Sequence, residues 1–254
     1  MGCRRLRSVV SSIVQYVGAL FPWTQPPGPL KGLAMATNRV GDIDTLGCDW
    51  WYVWGVRDTD DPRYVPMTRD FSVPTISPAP KYMLVGNEPN AYEYWGHTMS
   101  PNHAAHHVSN IEVAYPDTFL IVGNVSYDDW GMSGNGIWWL TRFLQYYEEL
   151  MSKPYDMGLG VHSYASTADY GGQQMQAYRE VYDGEMWLTE ANLVSYNDID
   201  PVEFKNFFRH AAKRFERYAC YTNTQPGNPS DLPFPMDLVD DEVLTPIGEV
   251  YAKL

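Results

Sequence analysis

Two glutamates stand where packing gives them no reason to be. Glu88 closes the run Tyr82-Met83-Leu84-Val85-Gly86-Asn87, and Glu190 closes Glu185-Met186-Trp187-Leu188-Thr189. An unpaired buried carboxylate costs several kcal/mol, so a charge at the end of an apolar run asks for a chemical reason. Two carboxyl groups converging over a pocket can divide one task. One protonates a leaving oxygen while the other attacks or activates water, which is what cleavage of a glycosidic bond requires. The bland alternative is a pair of structural carboxylates, each matched by an arginine such as Arg39 or Arg69.

Other reactive residue types form weaker patterns. His97, His103, His106 and His107 match no HExxH spacing, and one helical turn cannot aim all four at one ion, so they read as a solvated face over Ala104 and Ala105. Asp58, Asp60 and Asp61 lack the glycine and distal glutamate of a calcium loop and read as a polar turn. Cys3, Cys48 and Cys220 have no metal-ligand spacing, and an odd count cannot close a complete disulfide framework. No metal site and no cofactor are expected.

To bring Glu88 and Glu190 together, the chain needs elements that converge. Eight apolar, β-rich runs are candidate strands: Lys31 to Ala36, Trp50 to Gly55, Arg63 to Arg69, Tyr82 to Glu88, Phe119 to Ser126, Met157 to Tyr164, Glu185 to Glu190 and Tyr218 to Thr224. Helical patterns lie between the later ones. Ser100 and Pro101 open a helix to Tyr115; Ile137, Leu140, Phe143, Leu144, Tyr147, Leu150 and Met151 form one apolar stripe, and Phe204, Phe207, Phe208, Ala211, Ala212, Phe215 and Tyr218 another, begun by Asp200 and Pro201. A last helix, Pro246 to Leu254, follows Thr245.

Strands alternating with helices imply parallel pairing, and eight units in about 225 residues fit a compact (β/α)8 TIM barrel, an α/β fold. An open doubly wound sheet competes, but no GxGxxG follows an early strand. Arg57 to Pro62 and Phe71 to Pro80 are too short or too proline-rich for full helices, so two outer helices should be shortened or missing. In such a barrel the strand C-termini form the active face, where the fourth and seventh strands oppose each other.

Composition narrows the partners. The 254 residues are 44% hydrophobic, which excludes a disordered chain, and no apolar run is long enough to span a bilayer. A net charge of −13 without a segregated basic face argues against nucleic acid. With 9 Trp, 19 Tyr and 9 Phe there is more flat aromatic surface than a core of this size needs, so part of it should line a binding site.

The chain resembles the clan A glycoside hydrolases, whose barrels carry Asn-Glu-Pro at the end of the fourth strand and a second Glu at the end of the seventh; here these are Asn87-Glu88-Pro89 and Glu190. Within the clan it is most similar to the small glycosyl hydrolase catalytic core family that includes β-1,3-glucanases. The matching pieces are Lys31-Gly32-Leu33, Trp51 to Trp54, Val65-Pro66-Met67, Val85 to Pro89, Val161-His162-Ser163-Tyr164, Trp187 to Glu190 and Leu244 to Gly248. The resemblance covers about Lys31 to Leu254. It implies Glu88 as general acid and then base, and Glu190 as nucleophile of a retaining double displacement, with the carboxyl groups about 5 to 5.5 Å apart. It further implies that Asn87 holds a sugar hydroxyl, Tyr164 steadies Glu190 and His162 shapes the floor. Trp54, Trp95, Trp130 and Tyr170 are candidates for stacking on sugar rings.

Three departures stand out. Tyr221 takes the place of the usual strand-eight aromatic, often Trp; Asn90 stands where the glucanases commonly have Asp; and Phe71 to Pro80 differs in length. The bland readings of His162 and Tyr164 are a satisfied core histidine and an ordinary packed tyrosine.

The expected activity is therefore a retaining, endo-acting O-glycosyl hydrolase of a β-linked polysaccharide, with β-1,3-glucan among the candidate substrates. The alternative from another class is a carbohydrate-binding or assembly protein on a weakened barrel, and a metal-dependent hydrolase is a distant third. Residues 30–254 form the expected barrel. Residues 1–29 form an N-terminal extension ending in the proline-rich linker of Pro26, Pro27 and Pro29. Arg4, Arg5 and Arg7 before Val9 to Phe21 look signal-like, whereas Leu6, Val9, Val10, Ile13, Val14, Val17, Leu20 and Phe21 recur with helical period. Packing on the barrel, a signal, and a membrane or partner contact all stay open for this segment. The expected setting is secreted or cell-surface, as a monomer.

Overall fold

The computed structural model describes residues 28–91, 98–127, 135–152, 156–195, 197–224 and 236–254. The segment at residues 1–27, with Cys3, and the positions of Trp95, His97 and Trp130 lie outside the described residues.

The eight expected strands all form. They are β1 (Leu30–Ala34), β2 (Trp50–Tyr52), β3 (Met67–Thr68), β4 (Tyr82–Val85), β5 (Phe119–Val125), β6 (Gly158–Ala165), β7 (Met186–Leu193) and β8 (Arg217–Tyr221). All pair in parallel in the order β2-β1-β8-β7-β6-β5-β4-β3. A parallel bridge between Trp51 and Tyr64 joins β2 to the approach of β3, so the sheet nearly closes into a (β/α)8 barrel. Its strands read as near-continuous apolar runs because both faces are covered; every residue of β7 is buried. One cluster, including Trp50, Tyr52, Met67, Leu84, Ile121, Trp187 and Ala219, comes from the strands and fills the interior. The larger core lies between strands and helices.

The helices are α1 (Gly41–Thr45), α2 (Pro101–Ala114), α3 (Gly136–Met151), α4 (Ala168–Val181), α5 (Pro201–Ala212) and α6 (Pro246–Ala252). Each of the last five starts on a side-chain cap, from Ser100, Asn135, Thr167, Asp200 and Thr245. Phe215 and Tyr218 continue the stripe of α5 beyond its end, Tyr218 entering β8.

Periodicity did not reveal α4. Its inward face consists largely of Gly171, Gly172, Gln174, Met175 and Tyr178, which carries little apolar signal. The glycines make room for neighbours: a Cβ on Gly171 would lie 2.3 Å from the Phe207 ring, and one on Gly172 would lie 3.0 Å from the His210 ring, both on α5. The outer helices after β2 and β3 are absent, as the sequence suggested. Side-chain ties replace the second one. Phe71 is fully buried, the Tyr115 hydroxyl donates to Pro74 O at 2.6 Å, and the Ile76 N–H donates to that hydroxyl at 3.0 Å.

Between β9 (Val239–Asp240) and β10 (Val243–Leu244), a small antiparallel hairpin leads into α6. Lys31, buried at the start of β1, reaches the other end of that helix, donating from Nζ to Tyr251 O at 2.9 Å and Ala252 O at 3.2 Å. Burial lowers its pKa.

Candidate active site

Glu88 sits just beyond β4 and Glu190 on β7, both at the C-terminal mouth of the barrel. His162 lies on β6, directly opposite Glu190 in the β6–β7 register. Its Nδ1 is 3.0 Å from Glu88 Oε1 and 3.5 Å from Glu190 Oε2, and its side chain is fully buried. One carboxylate oxygen of each glutamate and a ring nitrogen of His162 all lie within 4.8 Å of one another. Nδ1 faces both carboxyl groups and Nε2 is buried with no partner among the described residues, so a proton on Nδ1 is the one that this setting rewards.

The two carboxyl groups have different surroundings. Glu190 Oε1 accepts from the Trp54 indole N–H at 2.8 Å and the Tyr52 hydroxyl at 3.0 Å, and Oε2 accepts from the Tyr164 hydroxyl at 2.8 Å. Three donors on one group is an arrangement that a charged carboxylate rewards most. Glu88 instead faces His162. Burial raises its pKa, His162 opposes that, and the Glu190 charge adds to it. Burial opposes a charge on His162, but the two carboxylates outweigh it and raise its pKa. Burial, and then Glu190, push Tyr52, Tyr164 and Tyr221 up, so these hydroxyls stay protonated donors.

The structure thus gathers Glu88, Glu190, Asn87, His162, Tyr164, Trp54 and Tyr221 at one mouth. Asn87 Oδ1 accepts from Trp54 Nε1 at 3.1 Å. The Tyr221 ring lies edge-on to Trp54 at 5.7 Å and to Tyr164 at 6.1 Å, so the strand-eight departure still places an aromatic against two residues that hold Glu190. Tyr170 does not join this group by any ring contact among the described residues; it is 40% exposed in the first turn of α4. The two arginines weighed as structural partners divide. Arg39 faces Asp42 at 3.7 Å, whereas the Arg69 charge favours ionisation of Glu88, a smaller influence than those of burial and His162.

Asn90, the second departure, has a local reason. Its Nδ2 donates to Ser126 O at 2.9 Å while its Oδ1 accepts from Ser126 N at 3.1 Å, tying the β4 loop to the end of β5. An aspartate could accept but not donate there.

Sequence reasoning missed Tyr52 and Asn124. Tyr52 sits inside a Trp-rich strand and reads as core; only its hydroxyl, aimed across the barrel at Glu190, makes it part of the site. Asn124 is fully buried on β5 at φ 49°, a polar residue in an apolar run, the same signal that singled out the glutamates.

Among the described residues the one acidic-histidine group close enough to hold a metal ion is Glu88, His162 and Glu190 itself. Both oxygens of Glu190 already accept hydrogen bonds there. His103, His106 and His107 lie exposed along α2, and Asp61 pairs with Arg63 at 2.9 Å.

Comparison with known proteins gives a family match and a likeness of fold. A family profile described as "Glycosyl hydrolase catalytic core" matches residues 32–251. No curated protein matches. Solved structures do. A GH128 (subgroup II) endo-β-1,3-glucanase from Sorangium cellulosum is 20% identical with a TM-score of 0.69, over 88% of this chain and 97% of that one. A GH128 (subgroup I) endo-β-1,3-glucanase from Amycolatopsis mediterranei in complex with laminaritriose is 21% identical with a TM-score of 0.68, over 89% and 99%. A GH128 (subgroup V) exo-β-1,3-glucanase from Cryptococcus neoformans is 19% identical with a TM-score of 0.63, over 87% and 97%. At these identities the likeness is one of fold.

Proposed function

The chain belongs to the glycosyl hydrolase catalytic core family, and from that premise we propose that it is a retaining glycoside hydrolase acting within β-1,3-linked glucan chains, with Glu88 as acid/base and Glu190 as nucleophile. One observation carries this reading. One oxygen of each carboxyl group lies within 4.8 Å of the other beside His162, a close approach that supports a retaining pair, whose carboxyl groups stand about 5 to 5.5 Å apart.

The roles follow from the surroundings. Glu190, held by Tyr52, Trp54 and Tyr164, attacks the anomeric carbon as a carboxylate. Glu88, whose pKa burial raises so that its acid form persists to higher pH, gives its proton to the departing glycosidic oxygen. The ester on Glu190 is then cleaved by water, whose proton returns to Glu88. Asn87, beside Trp54, meets a sugar hydroxyl, and Tyr221 offers a ring face next to the reacting sugar. Trp130 is assigned to sugar stacking from its sequence position alone.

Support for the β-1,3-glucan assignment comes from the endo-β-1,3-glucanases that share the fold, and endo action is the part the exo-acting relative makes worth testing. Residues 30–254 serve as the catalytic unit and residues 1–29 as an extension, in a secreted or cell-surface monomer. The test is release of reducing ends from laminarin, curdlan, mixed-linkage glucan, xylan and mannan, with product lengths and the anomer first formed. Selective cleavage of the β-1,3 polymers into mixed oligomers with a β-anomer is expected. Retention of glycan on a column with no new reducing ends would put the chain among binding proteins instead.

A further inference from the structure

Asn124 is the extra residue of a β-bulge. The β5–β6 register shifts between Gly123 and Val125, which leaves Asn124 without a partner on β6. Its φ of 49° is in the left-handed region that asparagine tolerates better than most side chains. Bulges next to active sites re-aim a side chain, and this one turns an amide into the barrel.

That amide joins the two strand ends that carry the glutamates. Nδ2 donates to Gly86 O at 3.0 Å and Val85 O at 3.3 Å, at the end of β4. Oδ1 accepts from Thr189 Oγ1 at 2.9 Å, on the residue before Glu190. The main-chain oxygen of Asn124 accepts from the Glu88 N–H at 2.9 Å. Glu88 itself has φ 45°, so this bond meets the backbone at an unusual turn. Space for the amide depends on Gly160, where a Cβ would lie 2.1 Å from Asn124 Oδ1.

We propose that Asn124 is the positioning residue that sets the gap between Glu88 and Glu190, its amide and carbonyl joining the strand end before one to the residue before the other. This rests on Glu88 and Glu190 being the reacting pair. The chemistry needs both carboxyl groups at one anomeric centre, and a misplacement of about 1 Å costs about 100-fold in rate. A side chain that bonds both supporting strands at once sets that distance more tightly than either strand could alone.

The experiment compares the wild type with Asn124→Gly and Gly160→Ala. Asn124→Gly accepts the left-handed backbone and keeps the Glu88 N–H bond but removes the amide; Gly160→Ala keeps every donor and acceptor and pushes the amide aside. Each is assayed on laminarin and on a dinitrophenyl β-laminarioside, whose leaving group needs no proton, and crystallised to measure the gap. The expected result is a loss of kcat/KM of about 100-fold on laminarin, a much smaller loss of kcat/KM on the dinitrophenyl substrate, because that ratio reports the first step, in which its leaving group needs no proton, and a wider gap in both variants. A merely structural role would lower Tm and reduce both activities together. Equal losses of kcat/KM on both substrates, or an unchanged gap, would overturn the proposal. Should Asn124→Gly fail to fold, Gly160→Ala carries the same readouts. A wild type inactive on both substrates would instead remove the glycosidase reading, and the crystallographic gap would still test Asn124.

Discussion

The indole N–H of Trp54 is directed at the carboxylate of Glu190, 2.8 Å from Oε1, and the same N–H lies 3.1 Å from Asn87 Oδ1. An aromatic ring expected to meet sugar by its face therefore also holds Glu190, the proposed nucleophile, by its edge. Hydrogen bonds to a charged group contribute about 1.5 to 3 kcal/mol. Trp54→Phe, which keeps a ring and removes the donor, is expected to lower kcat by roughly 10- to 100-fold, a range that converts from those energies. Steady-state kinetics on laminarin would check it, and an unchanged kcat would remove Trp54 from this role.

Tyr164→Phe and Tyr52→Phe probe the other two donors. Each should lower kcat by about tenfold or more with a small change in KM, because the hydroxyls face Glu190 rather than open solvent. The Tyr52 variant carries an added cost in stability. Its hydroxyl is buried and also donates to Thr189 O at 3.2 Å, so thermal unfolding should shift as well.

Glu88→Gln and Glu190→Gln should each reduce turnover by about 100-fold or more. The two losses should differ in kind. Added azide is expected to restore cleavage of a dinitrophenyl glycoside in the Glu88 variant with a β-glycosyl azide as product, since the nucleophile is still present. Undiminished turnover in both variants would sink the assignment.

The pH dependence has a definite sign. Burial raises the Glu88 pKa above that of an ordinary glutamate, so the acid form persists to higher pH, and kcat/KM should fall on the alkaline side as that proton is lost. Stability follows by linkage. The unfolded chain releases this proton first, so the contribution of Glu88 to folding is fully present below its unfolded pKa and is lost as pH rises through its folded one. His162, also raised above the ordinary histidine range, acts in the same direction. Melting of wild type and Glu88→Gln from about pH 4 to 9 would read this, the variant showing the shallower decline.

Gly171→Leu tests the close approach of α4 to α5. With the Phe207 ring only 2.3 Å from where even a Cβ would stand, the larger side chain must push the helices apart, at about 1 to 3 kcal/mol. Tm should fall by several degrees while kcat/KM of the folded enzyme holds, because this contact is on the outer layer.

Much of this architecture was legible in sequence because its signals are local. The eight strands showed as apolar runs, the caps at Ser100, Asp200 and Thr245 marked helix starts, and the proline content of Phe71 to Pro80 told against a helix there. Helix α4 was not legible, since a face packed through Gly171 and Gly172 records its partner's bulk as a lack of side chain.

The sequence by itself determined the parallel barrel and the ends of β4 and β7 as the places where carboxylates sit, because hydrophobic period and an out-of-place charge are properties of short segments. Only the tertiary structure decided which groups meet. That Tyr52 and Trp54 hold Glu190, that His162 faces both glutamates, and that Asn124 joins the strands beneath them depend on the order in which eight strands close. Barrel closure places residues far apart in the chain within hydrogen-bond reach, and distances across that mouth are a property of the whole circle of strands rather than of any one of them.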